Sequence, residues 1–307
     1  MRSLRAALAS LPDVDWVYTP DPDAAALALT VSRVRVLFDI HEEYHKGHLA
    51  QSVPRPTRPA SERAVRTTLA LIAKKCDLVT SVNQAILDAY GVTDDHGLVT
   101  FNSPPPWFAR SSPKPTGNSN ALTFFHGKAL AGNGTSVVLD AVAEVRSRGV
   151  DARVVMFPSN GNVDGPPYDA EFAARSREPD LQDSLDLLSG RPHRAMPEVL
   201  SNVDVGLIAY NRVLGVGSLP NRFFEYLALG IPVIVPEYSP LMSEIVAREG
   251  LGLTVDFEDP ASVANGMQQM AADLPELTAM GRRAKESFDR TYSWAPAFHR
   301  LRDRMIS

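Results

Sequence analysis

The sequence predicts an α/β protein of two Rossmann-like, doubly wound domains, the first of them incomplete. Short apolar, β-rich runs alternate with helical patterns along the whole chain, the pattern that builds parallel sheets with crossover helices. A stretch dense in Pro, Ser and Asn, residues 103–120 (SPPPWFARSSPKPTGNSN), interrupts that alternation and reads as an interdomain linker. At 307 residues the chain is long enough for two domains, each with its own core.

Ahead of the linker, strands are expected at 14–19, 34–38, 78–81 and 98–101, with helices at 59–76 and 82–90. Asp21-Pro22-Asp23 imitates a D-x-D metal motif. It follows a strand and opens an Ala-rich helix, where Asp is a natural cap, so it reads as structural. Beyond the linker, strands are expected at 122–125, 153–157, 185–188, 203–208, 232–235 and 252–255. Helices are expected there at 134–148, 219–229, 241–248 and 259–273. The second half therefore has six strands and the first four. In such sheets the ligand cleft lies at the C-terminal ends of the strands. No repeat recurs at periods of 20 to 50 residues.

Composition narrows the function. A net charge of −5 excludes a general nucleic-acid binder, which needs a basic footprint. The single cysteine, Cys76, excludes an internal disulfide framework and fits a reducing cytoplasm. No run of 18 apolar residues is present, and the first sixteen residues make a poor signal peptide.

One carboxylate stands out. Glu225 lies among Phe223, Phe224, Tyr226, Leu227 and Leu229, after a loop containing Gly215, Gly217, Ser218 and Pro220. An unpaired carboxylate is costly to bury, so such a residue is exposed, paired or holding a ligand. The glycines permit close backbone approach, Ser218 is a candidate cap, and Pro220 suits a first helical turn. A helix N-terminus there would bind phosphate, and a Glu about one turn inside would suit ribose hydroxyls. A solvent-facing Glu on an amphipathic helix is the alternative reading.

With these motifs placed, the chain resembles the retaining glycosyltransferases of the GT-B fold, family-4 type (glycosyl transferases group 1). NVDVGLIAY, SLPNRFFEYLALGIPVIVP and EIVAREGLGLTVDFEDPASVANGM follow one another in the family's order. DVDWVYTPDPDAAALAL, VLFDIHEEY and CDLVTSVNQAI are similar to its acceptor-side domain, and TYSWAPAFHRLRDRM to its final helix. The resemblance implies an acceptor-side domain at 1–112, a donor domain at 113–290, and a helix at 291–307 crossing back to the first domain.

It also implies site residues. Glu225 matches the ribose-binding carboxylate, the N–H groups around Ser218 and Leu219 the phosphate turn, and Asn221-Arg222 the family's basic PN(K/R) position. His41 matches a cleft histidine that contacts the donor sugar near the reacting centre, and is the catalytic candidate. Gly127-Lys128 matches a Gly-Arg that contacts the diphosphate; Lys128 supplies charge there without arginine's fork. Three departures accompany the match. A second diphosphate cation falls on Asn133, a donor-sugar glutamate falls on Gly217, and the family's first strand and glycine-rich loop have no counterpart before Met1. The implied N-terminal domain is thus shortened, with a sheet edge to be covered by a homo- or hetero-oligomeric partner.

The implied activity is metal-independent transfer of a sugar from a UDP- or GDP-linked donor to a glycan, lipid-linked or small-molecule acceptor, with retained configuration and no cofactor. Two alternatives stand beside it: a non-catalytic homologue or partner subunit that binds nucleotide, and a nucleotide-sugar epimerase of similar architecture. An NAD enzyme is disfavoured because no G-x-G-x-x-G follows an early strand. His41, Glu42, Glu43, His45 and His48 lie close together, yet a third convincing metal ligand is lacking. Residues 55–75 carry Arg55, Arg58, Arg63, Arg66, Lys74 and Lys75 against one acid, Glu62. That reads either as a solvated helix face or as a contact for anionic lipid, placing the protein in the cytoplasm or peripherally at the inner membrane face.

Overall fold

The computed structural model describes residues 6–7, 10, 13–41, 44, 54–110, 121–159, 165–215 and 218–306. It divides into two compact units, residues 1–102 with 295–307, and residues 103–294. Glu42, Glu43, His45, His48 and Gly217 lie outside the described residues.

In the first unit, β1 (Trp16–Thr19), α1 (Pro22–Ala28), β2 (Arg35–Ile40), α2 (Arg58–Lys75), β3 (Leu78–Ser81), α3 (Gln84–Ala89) and β4 (Gly97–Val99) follow in order. The four strands are parallel and lie in chain order, β1-β2-β3-β4. Asp21 begins α1 by accepting from the N–H groups of Asp23 and Ala24, and Asn83 begins α3 by accepting from Ile86. Val36, Phe38 and Ile40 of β2 share a core with Ala25, Leu69, Ala73 and Ile86 from the three helices. Residues 36, 38 and 40 occupy one face of the strand, so this core lies on that face. Leu37 and Asp39 point to the other.

The second unit holds β5 (Leu122–Lys128), α4 (Thr135–Ser147), β6 (Ala152–Phe157), α5 (Pro166–Arg175), β7 (Leu185–Leu187), α6 (Met196–Leu200) and β8 (Val205–Leu207). It continues with α7 (Arg212–Gly215), α8 (Asn221–Ala228), β9 (Val233–Pro236), α9 (Pro240–Glu249), β10 (Gly252–Val255), α10 (Pro260–Ala272) and α11 (Leu274–Ser287). The strand order is β10-β9-β8-β5-β6-β7, all parallel. The chain builds outward from β5 in one direction, then returns to β5 and builds outward in the other. This is the doubly wound Rossmann order, whose reversal lies between β5 and β8. Phe124, Val154, Val205 and Ile234 from the strands meet Val138, Val142, Val263 and Met267 from α4 and α10 in the core.

The last helix, α12 (Trp294–Ile306), is held to the first unit from Ala295 onward. The Trp16 indole donates to the Met305 carbonyl at 3.2 Å, and Arg304 donates to the Asp94 and Asp95 carbonyls. The two parallel-sheet units make up a two-domain Rossmann-like GT-B fold.

The expected linker is a different element over its first part. Residues 103–110 belong to the second unit, and Phe108 is fully buried there. Residues 111–120 lie outside the described residues. Pro, Ser and Asn content signals an irregular backbone, but irregular backbone is free to bury an aromatic ring.

Candidate functional site

In a doubly wound sheet the ligand site is expected at the strands' C-terminal ends where the strand order reverses, and Gly127, Lys128, Asn133 and Arg222 gather at the end of β5 beside that reversal. A β-bulge between Phe125 and Gly127 leaves His126 out of the β5–β6 register. Helix α8 occupies the carbonyls that this bulge exposes. Arg222 Nη1 donates to the His126 carbonyl at 2.6 Å, and the Tyr226 hydroxyl donates to the Phe125 carbonyl at 3.3 Å. Arg222 and Tyr226 are one turn apart on the same face of α8. The Tyr226 ring lies directly on Gly206 of β8, where any Cβ would collide with it. Helix α8 is thereby fixed across both strands of the reversal.

Gly127 completes this seating. Its φ is +89°, and a Cβ there would overlap the Arg222 guanidinium. Arg222 also stands 5.8 Å from the centre of the Tyr210 ring. Lys128 ends β5, and its side chain has no ion-pair partner among the described residues. Asn133 is buried and donates its amide to the Lys128 carbonyl at 2.9 Å, which ties down the turn leading into α4. Gly134, at φ +63°, starts α4 within close reach of the Ala209 carbonyl beyond β8.

The start of α8 differs from expectation. Pro220 is the N-cap residue rather than the first helical residue, and no side chain caps the helix. Ser218 therefore does not cap; its N–H faces the Gly215 carbonyl at 3.5 Å. Leu219 is buried and Asn221 exposed. The first N–H groups of α8 lack partners inside the helix, and its positive dipole end lies on the same turn as Arg222.

Glu225 has a partner that the sequence did not disclose. Its Oε1 is 2.8 Å from His193 Nε2, with the carboxylate mostly buried and the imidazole half-exposed. The His193 ring stacks on Phe108 at 5.4 Å and 26° and meets the edge of Trp107 at 5.6 Å. Glu225 is thus paired rather than solvent-facing. His193 lies 32 residues away in the chain, so no local pattern marks it.

His126 was also missed. Fully buried, it lies 2.9 Å from Thr135 Oγ1, while that oxygen donates to the Leu130 carbonyl and accepts from the Leu130 N–H. With Thr135's single proton committed to Leu130, the imidazole must donate through Nε2, leaving Nδ1 as the unprotonated nitrogen. Nδ1 is buried without a hydrogen-bond partner. Burial, reinforced by the nearby Arg222 charge, lowers the His126 pKa to about 3, so the ring is neutral.

In the first unit, His41 follows β2 directly and is partly exposed, with Nε2 3.1 Å from Asp39 Oδ2. Asp39 collects donors from both neighbouring strands as well as from His41. It accepts from the Tyr18 hydroxyl of β1 and from Thr80 of β3 at 2.7 Å, consistent with the Asp39–Thr80 register pair. Burial pushes Asp39 upward, but hydrogen bonds from His41, Tyr18 and Thr80 outweigh it and hold the carboxyl below its usual range. Tyr18 moves the opposite way, raised by burial and by the Asp39 hydrogen bond and charge. Asp39 was legible in principle: it is the one acid in the otherwise apolar run VLFDI, two residues before the histidine.

A cleft of about 620 Å³ lies elsewhere, lined by Arg153, Leu187, Arg191 and Glu198 among others. It runs along β6 and β7 rather than across the reversal, and Arg153 is already paired with Asp186. Fold topology and the Arg222–Gly127 seating make the β5–β8 reversal the stronger candidate. No group of three or more His, Cys, Asp or Glu that could hold a metal occurs among the described residues. No described helix is long and apolar enough to cross a membrane.

Comparison with known proteins bears on the fold and the family. The chain is 29% identical over 185 residues to the D-inositol 3-phosphate glycosyltransferase of Corynebacterium kroppenstedtii, covering 58% of this chain and 39% of that protein. It is 26% identical over 178 residues to the enzyme of the same name from Corynebacterium diphtheriae, covering 58% and 40%. The matched stretch thus spans about two fifths of these relatives' length. Among solved structures, Anabaena HepE in complex with UDP has a TM-score of 0.74 at 14% identity, over 98% of this chain and 80% of that one. Sucrose-phosphate synthase of Thermosynechococcus elongatus has a TM-score of 0.72 at 14% identity, over 98% and 76%. Both show a shared fold. The sequence profile of one family matches residues 111–287, more than half of the chain. The protein belongs to the glycosyl transferases group 1 family.

Proposed function

We propose that the second unit binds a nucleoside diphosphate-sugar, UDP- or GDP-linked, and that the protein transfers the sugar to an acceptor with retained configuration and without a metal. The observation that carries this reading is Arg222, braced on the His126 carbonyl over Gly127 at the β5–β8 reversal. A diphosphate leaving group accumulates charge as the glycosidic bond breaks. A fixed guanidinium, the α8 dipole and its unpaired N–H groups would stabilise that charge without reorganising at the moment of reaction. Lys128, at the end of β5, would add a second positive charge.

Glu225 would accept the ribose hydroxyls. With Oε1 bound to His193, Oε2 and the remaining lone pairs are the ones offered to the sugar. On this proposal Ser218, Leu219 and Asn221 supply the phosphate-side backbone. His41, oriented by Asp39, contacts the donor sugar near the reacting centre.

Asn133 favours a second reading, a homologue that binds nucleotide without turnover. It is uncharged where the resemblance implies a cation, and its amide is already committed to the Lys128 carbonyl.

A thermal-shift panel of UDP, GDP, ADP and their sugars tests the binding reading, since a ligand of the native state raises stability by RT ln(1 + [L]/Kd). A rise with UDP or GDP that Glu225→Ala diminishes is the expected result; no shift with any nucleotide overturns it. Product analysis with candidate acceptors then separates the two readings. D-inositol 3-phosphate, from the names of the corynebacterial relatives, belongs in that set.

A further inference from the structure

We infer that the outward face of α2 is a docking surface for an anionic phospholipid bilayer. The chain as a whole carries a net charge of −5, yet α2 holds Arg58, Arg63, Arg66, Lys74 and Lys75 against the single acid Glu62. Arg63, Arg66, Lys74 and Lys75 are exposed, and among the described residues none of these four forms an ion pair. A solvated helix on an acidic protein normally alternates its charges into i,i+4 pairs. Here Glu62 is the single acid at such a spacing, four residues from Arg58 and from Arg66, and Lys74 and Lys75 have no acid within four residues toward the N-terminus.

The arrangement is ordered rather than diffuse. Arg63, Thr67, Leu71 and Lys74 fall at i, i+4, i+8 and i+11, a single outward stripe, with Arg66 and Lys75 flanking it. The opposite side, through Leu69 and Ala73, enters the core, so the stripe's direction is fixed by packing. Leu71 stands in the middle of the cations and is 57% exposed. Beside it, between α1 and α2, runs a trough of about 300 Å³ lined by Ala26, Leu29, Thr30, Leu71, Ile72 and Lys75. Cations around an apolar prong, next to an apolar trough, complement a headgroup layer above acyl chains. A soluble anion would use the cations and leave Leu71 without a role.

Flotation of the whole protein with phosphatidylcholine vesicles, with and without phosphatidylglycerol, tests the assignment. Co-flotation with the anionic vesicles alone is expected, weakening as salt is raised from about 0.1 to 0.5 M. Each cation is worth on the order of fivefold in partitioning. K74Q/K75Q should therefore lose roughly 25-fold and R63Q/R66Q/K74Q/K75Q more than 100-fold. L71S should lose several-fold while keeping the salt dependence. All three change exposed side chains, and an unchanged unfolding midpoint verifies that each variant folds. The proposal is overturned if the fourfold variant floats like the parent, or if neutral vesicles bind equally. It is also overturned if millimolar inorganic phosphate displaces the protein, or if RNA binds it while vesicles do not.

Discussion

Arg222 and Gly127 share one volume: the guanidinium occupies the place where a β-carbon at position 127 would sit, and donates to the carbonyl of the preceding residue, His126. The glycine also holds a φ of +89°, a conformation unfavourable for any L side chain. Two independent constraints thus meet on one residue, and both serve to seat a cation at the end of β5. Gly127→Ala should therefore destabilise the protein by about 1–3 kcal/mol and displace Arg222. Urea unfolding reads the first effect, and a drop in UDP or GDP affinity by calorimetry reads the second. A variant as stable as the parent would contradict the seating.

Glu225→Ala should lower nucleotide affinity by about 10- to 100-fold, the range of about 1.5–3 kcal/mol for hydrogen bonds to a charged group. His193→Ala should act through Glu225 orientation and lose only several-fold. Since His193 is half-exposed, its removal should change stability by about 1 kcal/mol or less. Calorimetry on both variants checks the order. Equal losses would mean that His193 touches the ligand itself.

The Asp39 carboxyl is held below its ordinary value of 3.8. A depressed carboxylate contributes stability that is present above the unfolded pKa and is lost as pH falls through the lower folded value. The stability difference between the parent and Asp39→Asn should therefore be constant from about pH 7 to pH 5 and shrink below about pH 4. Denaturant titrations across that range measure it. A difference that grows on acidification would reverse the sign and reject the Asp39 network.

His126 acts over a different window. Its folded pKa of about 3 lies below the ordinary 6.5, so below pH 6.5 the unfolded chain takes up a proton that the folded chain refuses. Stability must then fall as pH drops from 6.5 toward 3, by at most about 1.4 kcal/mol per unit. His126→Leu removes this titration, and its stability relative to the parent should rise steadily over the same interval. Parallel curves would show that the buried ring protonates in the native state.

Much of this molecule is local in origin and was readable from the chain. All ten strands among the described residues were expected near their observed positions, because a buried parallel strand is a short apolar run bounded by turn residues. Four described helices were not: α5, α6, α7 and α11. Helices α6 and α7 have only 5 and 4 residues, too few to show a period. Helix α11 buries only Leu277, Gly281, Ala284 and Ser287, and Gly281 rests on the Gly230 carbonyl. A helix that docks through small residues leaves almost no hydrophobic signal. Helix α5 opens with two prolines and has Phe172 as its large core residue, again too sparse a pattern.

The alternation of strands and helices, the division into two α/β parts and the unusual setting of Glu225 follow from chain-local physics: side-chain period, turn chemistry and the cost of a buried charge. Gly127 and Arg222 were marked only by the family resemblance. Only the tertiary structure decided that β5 lies beside β8, which brings Arg222 onto His126 across 96 positions of sequence. It also decided that Glu225 meets His193, that Phe108 backs that imidazole, and that Tyr18 and Thr80 converge on Asp39. Such partners are chosen by strand order and by the closing of a core. Neither leaves a periodic mark on the residues between.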